Sequence, residues 1–246
     1  MGETRGGSPA PYNYPRFDEY VASGEDRADE AAFWASPRAG QRAPDFVVPR
    51  LGDGAGVKLS DLWLSGPLVM EFGSFTLPYC SAEGPLLDAA AARHPEAAWV
   101  FIYTREAHPG ENVPHHDNFE RKLASAELLA EEAGISRDIL VDDLDGTVHR
   151  AYGLMPNMTW VIARGGQVAY KANWTSATNV EAFLGRFLAG RAAHPPGTSP
   201  VMYETQQAEF RYPDRKRFMQ DLVRNGPRAV AEFEKAQQLW AQRTAT

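Results

Sequence analysis

The chain has 246 residues, of which 43% are hydrophobic and 23% are charged, and its formal net charge is −7. This composition is typical of a globular protein and excludes wholesale disorder and fibrous repeats. The acidic balance argues against a nucleic-acid partner, because phosphate binding needs clustered Lys and Arg. Apolar runs such as Ala97–Tyr103 are much shorter than a membrane span, so no membrane partner is expected. The polar segment Met1–Asn13 lacks the apolar core of a secretion signal, which predicts a cytoplasmic location.

A single cysteine, Cys80, excludes an intramolecular disulfide, a CxxC redox couple and a multi-cysteine zinc site. The six histidines leave a metal site possible by count, although none has the HExxH spacing. Glu106, His108 and the pair His115 and His116 could supply ligands. Adjacent loop histidines point in different directions, however, whereas metal ligands converge. The sequence therefore predicts neither a metal nor another cofactor.

The pattern divides the chain into three parts. Residues 1–40 form an N-terminal extension, predicted to be mobile over 1–15 and to contain a short helix over Phe17–Trp34. Residues 41–190 form the main domain. Residues 191–246 form a linker, rich in proline over His194–Pro200, and two helices packed on the core that are separated by the Asn225-Gly226-Pro227 break.

The main domain alternates short buried strands with amphipathic helices. Strands are predicted at Phe46–Val48, Leu68–Phe72, Trp99–Tyr103, Ile139–Val141, Thr159–Ala163 and Val168–Lys171. Helices are predicted at Ala82–Arg93, around Phe119–Ala130, at Val148–Tyr152 and at Asn179–Leu188. Crossover connections come first and a hairpin follows, which predicts an α/β fold with a mixed sheet and helices on both faces.

The loop after the second predicted strand carries the most chemical information. A buried strand leads into a Gly/Ser/Pro loop and then a helix, so Cys80 is expected near a helix N-terminus. The unpaired N–H groups there favour an anion and would lower the pKa of the thiol. One interpretation is a reactive thiolate, and the other is a buried, inert cysteine.

Several motifs in this part of the chain resemble a known family. Ala43–Phe46 and Leu59–Leu62, followed by the strand and loop, resemble the redoxin (peroxiredoxin-like) branch of the thioredoxin fold. Phe72–Pro78 resembles the active-site loop of iodothyronine deiodinases, with the pattern Phe-Gly-Ser-x-Thr-selenocysteine-Pro. Tyr103–Pro109 is similar to that family's Tyr-Ile-x-Glu-Ala-His-Pro, and Ala151–Gly153 gives a third match. The resemblance covers about residues 41–190 and implies a thioredoxin-like domain.

One position departs from the family pattern. Leu77 occupies the place of the nucleophile, and its side chain has no lone pair for attack on iodine, peroxide or disulfide. If Leu77–Cys80 is placed on a CxxC motif, Cys80 takes the second position and the attacking first cysteine is missing. Neither selenolate deiodination nor ordinary dithiol reduction is therefore expected.

The first functional interpretation is a thiol-dependent oxidoreductase that uses one cysteine. Cys80 would react with a peroxide, a disulfide or a small organic substrate, and an external thiol reductant would restore it. Thr76 would hydrogen-bond to the sulfur, and Glu106 with His108 would form the polar catalytic edge at the neighbouring strand end.

Two other interpretations remain open. The pocket could perform acid/base catalysis on an organic substrate through Glu106 and His108, with the terminal helices covering it and Cys80 incidental. Alternatively, the chain could be a non-catalytic binding or scaffold module whose tail helices mediate self-association into a homo-oligomer. If a small-molecule substrate binds, these residues are predicted to line its pocket: Phe75, Leu77, Pro78, Tyr79, Pro156 and Met158.

Overall fold

A six-stranded mixed sheet forms the centre of the computed structural model, which describes residues 11–193, 202–208 and 214–244. The strands are β1 (Val47–Pro49), β2 (Gly56–Lys58), β3 (Leu68–Gly73), β4 (Ala98–Tyr103), β5 (Asp138–Val141), β6 (Thr159–Ile162), β7 (Val168–Ala172) and β8 (Glu204–Gln206). β1 and β2 form a separate antiparallel pair, and the main sheet has the order β5-β4-β3-β6-β7-β8. β3, β4 and β5 run parallel, β6 and β7 follow as an antiparallel hairpin, and β8 is parallel to β7.

Helices cover both faces of this sheet. They are α1 (Phe17–Ser23), α2 (Glu25–Ala35), α3 (Leu59–Trp63), α4 (Pro78–Arg93), α5 (Phe119–Ala133), α6 (Thr147–Tyr152), α7 (Ala177–Ala192), α8 (Arg215–Asn225) and α9 (Pro227–Thr244). On β3, Met70 and Phe72 pack in a cluster with α2, α3 and α6, whereas Val69 packs with α4 and α7. The side chains of a strand alternate between faces, so one strand supplies both layers of the core. The predicted thioredoxin-like fold with helical extensions is confirmed.

Several elements differ from the sequence-based prediction, among them β2 and α3, which were not predicted. The helix expected over Phe17–Trp34 is two helices, because Gly24 between them adopts the left-handed conformation with φ 87°. α4 begins at Pro78 rather than Ala82, since proline suits the first helical turn. β8 was not predicted, because its sequence is short and polar. The segment expected to be mobile, residues 1–15, lies outside the described residues over 1–10, as does the expected linker at 194–200, whereas Tyr12 and Tyr14 are buried.

The terminal helices pack against each other and cover one end of the sheet. α1 contacts α9, and α8 also contacts α9. Their buried side chains form one cluster: Tyr14, Phe17, Tyr20, Val21, Phe218, Leu222, Phe233 and Ala236. An ion pair joins Lys235 Nζ to Asp18 Oδ2 at 2.6 Å, and a second joins Arg243 Nη1 to Asp26 Oδ2 at 2.9 Å. Both termini therefore contribute to one wall.

No helix within the described residues has the length and apolar character needed to cross a membrane.

Candidate functional site

Two loops meet at the carboxyl ends of β3 and β4. The backbone N–H of Thr76 donates to Glu106 Oε2 at 2.8 Å, and the N–H of His108 donates to Thr76 Oγ1 at 3.0 Å. The N–H of Ala107 donates to Ser74 Oγ at 3.2 Å. These contacts fix the Leu77 loop against the His108 loop, as expected where the ends of adjacent parallel strands share an edge.

Glu106 is the buried anchor of this junction. Tyr103 Oη donates to Glu106 Oε1, and His116 Nε2 lies 3.2 Å from the same oxygen. Burial alone would raise the pKa of Glu106, but the contacts from His116, Thr76 and Tyr103 hold it below the ordinary value. Glu106 lies at the predicted strand end beside Thr76 but does not line the cavity described below, and its catalytic role stays a prediction. Among the described residues, no group of three or more His, Cys, Asp or Glu side chains could hold a metal ion.

A cavity of about 240 Å³ lies between these loops and the terminal helices. Its described lining residues are Tyr14, Phe17, Tyr20, Asp26, Asp29, Leu77, Arg105, Ala107, His108, Met155, Pro156, Trp174, Phe233 and Trp240. The sequence-predicted residues that line it are Leu77, Pro156 and His108. The other walls were missed, because most of them come from α1, α2 and α9, and no motif indicates where those helices pack.

His108 is the polar side chain without a partner in this cavity. It is 5% exposed, and its ring meets the edges of Phe17 and Phe233, with ring centroids 4.4 and 5.3 Å away. Its Nδ1 is buried and has no hydrogen-bond partner. Burial lowers the pKa of His108 to about 3, so the imidazole is neutral at physiological pH. The expected role as an acid that titrates near neutrality is therefore wrong.

Cys80 lies on the other side of the same loop and is fully buried. Gly73 allows the sulfur to approach the strand closely, since a side chain at that position would collide with it. Burial, and secondly the charge of Glu71, raise the pKa of the Cys80 thiol well above its ordinary value. The predicted lowering by the helix N-terminus is wrong, because desolvation is the larger effect. Thr76 is not the partner of the sulfur; Asn157 Nδ2 lies 3.6 Å from it.

Asn157 connects the sulfur to a buried carboxyl group. The same Nδ2 donates to Glu71 Oε1 at 3.2 Å and to the carbonyl of Phe72 at 3.0 Å. Arg137 donates to the other oxygen of Glu71. Burial raises the pKa of Glu71 to about 7 despite this ion pair. Sequence reasoning missed Glu71, which reads as an ordinary strand position in a short apolar run.

The remaining predicted pocket residues lie elsewhere. Pro78 and Tyr79 line a second cavity of about 170 Å³ against α8. Phe75 is covered by Arg224, whose guanidinium carbon lies 4.1 Å from the ring centroid. Met158 is buried in the core of the sheet. The structure does not place Phe75, Pro78, Tyr79 and Met158 in the cavity that Leu77 lines. Pro78 and Tyr79 turn with α4 toward α8, Arg224 covers Phe75, and Met158 faces the core of the sheet.

The sheet order and the helices on both of its faces define a thioredoxin-like fold. Two solved structures share this fold. A thiol:disulfide interchange protein from Bacteroides sp. is 15% identical over 64% of this chain and 94% of its own, with a TM-score of 0.51. An uncharacterized conserved protein from Geobacillus kaustophilus is 20% identical over 68% and 92%, with a TM-score of 0.50.

The family assignment is narrower than the fold. The model of the iodothyronine deiodinase family matches residues 27–180, which is more than half of the chain. The protein therefore belongs to the iodothyronine deiodinase family. No curated protein matches it.

Proposed function

We propose that this chain binds a small hydrophobic ring compound in the cavity above Leu77 and uses His108, rather than a thiol, as its polar contact. One observation carries the proposal. Leu77 occupies the position of the nucleophile in the family motif, and it lines a cavity. The cavity wall at this position is therefore an apolar side chain instead of a nucleophile. The walls are mostly aromatic and aliphatic, which is typical of sites for apolar organic ligands.

The size and the walls of the cavity support a ligand of one or two rings. An apolar cavity of roughly 150 Å³ can hold benzene, and this one measures about 240 Å³. The family is named for an aromatic compound, iodothyronine. Phe17, Phe233 and Trp240 would stack on or meet the edge of such a ligand.

The state of His108 favours hydrogen bonding over proton transfer. Because burial lowers the pKa of His108 to about 3, the ring is not protonated at neutral pH and cannot act as a general acid there. A neutral imidazole still offers one donor and one acceptor nitrogen. The Nδ1 atom is itself enclosed by protein and has no hydrogen-bond partner, whereas the ring as a whole lines the cavity.

Binding can be tested with the neutral fluorescent probe N-phenyl-1-naphthylamine. We expect its fluorescence to increase with the wild-type chain. Leu77→Trp should weaken binding at least about tenfold, since the larger side chain fills the cavity. Leu86→Trp is the matched control, because Leu86 lies on α4, the helix that follows Leu77, and is 53% exposed. Equal probe affinity for both variants and the wild type would overturn the proposal.

A single-cysteine oxidoreductase is the second candidate, favoured by the contact of Cys80 with Asn157, which also donates to Glu71. Glu71, whose pKa is about 7, is the acceptor for a proton leaving the buried thiol. The thiolate would attack a peroxide oxygen, the O–O bond would break, and a sulfenic acid and an alcohol would form. Two equivalents of an external thiol would then return the cysteine and release water and a disulfide.

Peroxide consumption separates the two candidates. With dithiothreitol as the reductant, the first proposal predicts that wild type and Cys80→Ala consume hydrogen peroxide at the same background rate. Turnover by the wild type that Cys80→Ala loses, while that variant retains binding of N-phenyl-1-naphthylamine, would instead establish the thiol mechanism.

A further inference from the structure

Among the described lining residues of the cavity, each charged side chain is paired within the protein. Asp26 accepts hydrogen bonds from Arg243 Nη1, at 3.1 and 2.9 Å, and from Trp240 Nε1 at 2.9 Å. Asp29 accepts from Arg105 and from the hydroxyl of Tyr20. Each carboxylate that lines the cavity therefore has its own arginine.

Arg105 makes further contacts besides its ion pair with Asp29. Its Nη1 donates to the carbonyl of Tyr12 at 3.1 Å, and its guanidinium carbon lies 5.0 Å from the ring centroids of Tyr12 and Tyr14. The Tyr14 hydroxyl is also in use, because it donates to the carbonyl of Ala107 at 2.8 Å. A charged ligand would therefore meet no unpaired charge of opposite sign among the described lining residues, and the cost of its own desolvation would not be compensated.

We infer, on the basis of the proposed function, that the cavity selects an uncharged ring compound carrying a hydroxyl group that pairs with the imidazole of His108, and that it rejects carboxylates and ammonium ions. The neutral ring of His108 matches a hydroxyl, since each is both a donor and an acceptor. The apolar remainder of the wall, including Phe17, Leu77 and Phe233, offers nothing to compensate the desolvation of a charge.

Four naphthalene derivatives of similar shape test this selectivity at pH 7.5. They are 2-naphthol, naphthalene, 2-naphthoate and 2-naphthylmethylammonium, each titrated as a competitor of N-phenyl-1-naphthylamine. We expect 2-naphthol to bind about five- to tenfold tighter than naphthalene, the effect of one hydrogen bond. Both ions should bind at least about tenfold more weakly than 2-naphthol.

His108→Phe identifies the group that reads the hydroxyl. This variant should bind naphthalene as well as the wild type does, which also shows that it is folded, and should lose the preference for 2-naphthol. Retained preference in His108→Phe would overturn the role of His108. If the variant does not fold, the relative affinities of the four derivatives for the wild type decide whether the proposed selectivity is correct.

The outcomes also separate this inference from the proposed function. If either ion competes as strongly as 2-naphthol, the neutral selectivity is wrong, while a cavity that binds ring compounds stands. If no derivative displaces the probe and Leu77→Trp has no effect on the probe, both are wrong.

Discussion

Leu77 and Cys80 are three residues apart at one helix start and pack in the same buried cluster, yet only Leu77 also borders the cavity. Leu77 lines the cavity beside His108, whereas Cys80 is sealed against β3 beside Asn157 and Glu71. Both lie in or next to the first turn of α4, so nearness to a helix N-terminus does not distinguish them. The direction of each side chain decides which of them a ligand can reach. The position facing the cavity holds a hydrocarbon, and the sulfur faces the core.

The two sides also hold buried titratable groups of opposite type. On the cavity side, burial lowers the pKa of His108 to about 3. On the sealed side, burial raises the pKa of Glu71 to about 7. In both cases the protein favours the neutral form, because charge is poorly solvated in its interior.

The largest effect is expected when the anchor of the cavity side is removed. Glu106→Ala would leave the Thr76 N–H, the Tyr103 hydroxyl and His116 without their buried partner. We expect the free energy of unfolding to fall by about 3–5 kcal/mol in urea titrations. Glu127→Ala, at an exposed position of α5, is the control and should change it by less than about 0.5 kcal/mol. Equal effects of the two substitutions would show that Glu106 does not anchor the loops.

A smaller effect on the free energy of unfolding is expected when the pH changes. Its sign is opposite for His108 on the cavity side and Glu71 on the sealed side. Unfolded His108 titrates near 6.5 and folded His108 near 3, so its contribution makes the protein more stable as pH rises through this range. Folded Glu71 titrates near 7 and unfolded Glu71 near 4.5, so its contribution makes the protein less stable as pH rises between them. Urea titrations at pH 5, 6.5 and 7 measure both.

Single substitutions separate the two contributions. Between pH 5 and 6.5, the free energy of unfolding should increase by about 1.5 kcal/mol less in His108→Phe than in the wild type. The contribution of Glu71 lowers the free energy of unfolding of the wild type by about 2 kcal/mol between pH 5 and 7, and Glu71→Gln should not show this decrease. Changes of the same sign in the two variants would contradict the assigned burial of one of these groups.

The sequence was sufficient for the fold and for part of the site. The apolar runs and the motifs Phe72–Pro78 and Tyr103–Pro109 predict the thioredoxin-like domain and place Leu77 and His108 at one sheet edge. The parallel pairing of β3 with β4 makes this possible, because motifs that follow adjacent parallel strands meet in space.

The burial of Cys80 and the cavity walls were not predictable in the same way. The thiol pKa depends on desolvation by Phe101 and neighbouring core residues, and no local motif encodes that packing. Phe17 and Phe233 are 216 positions apart, and their ring centroids are 6.1 Å apart in the folded chain. Such a contact follows from the docking of α1 on α9, which amphipathic periodicity alone does not specify.

The most direct test of the central claim is the reaction of native Cys80 with the small uncharged reagent methyl methanethiosulfonate, followed by mass spectrometry. A sealed thiol with a raised pKa should stay unmodified in the native chain and react fully in urea, where the thiol becomes exposed and ionises normally. Rapid, stoichiometric modification of the native protein would show that the sulfur is open to small molecules, and would contradict this account.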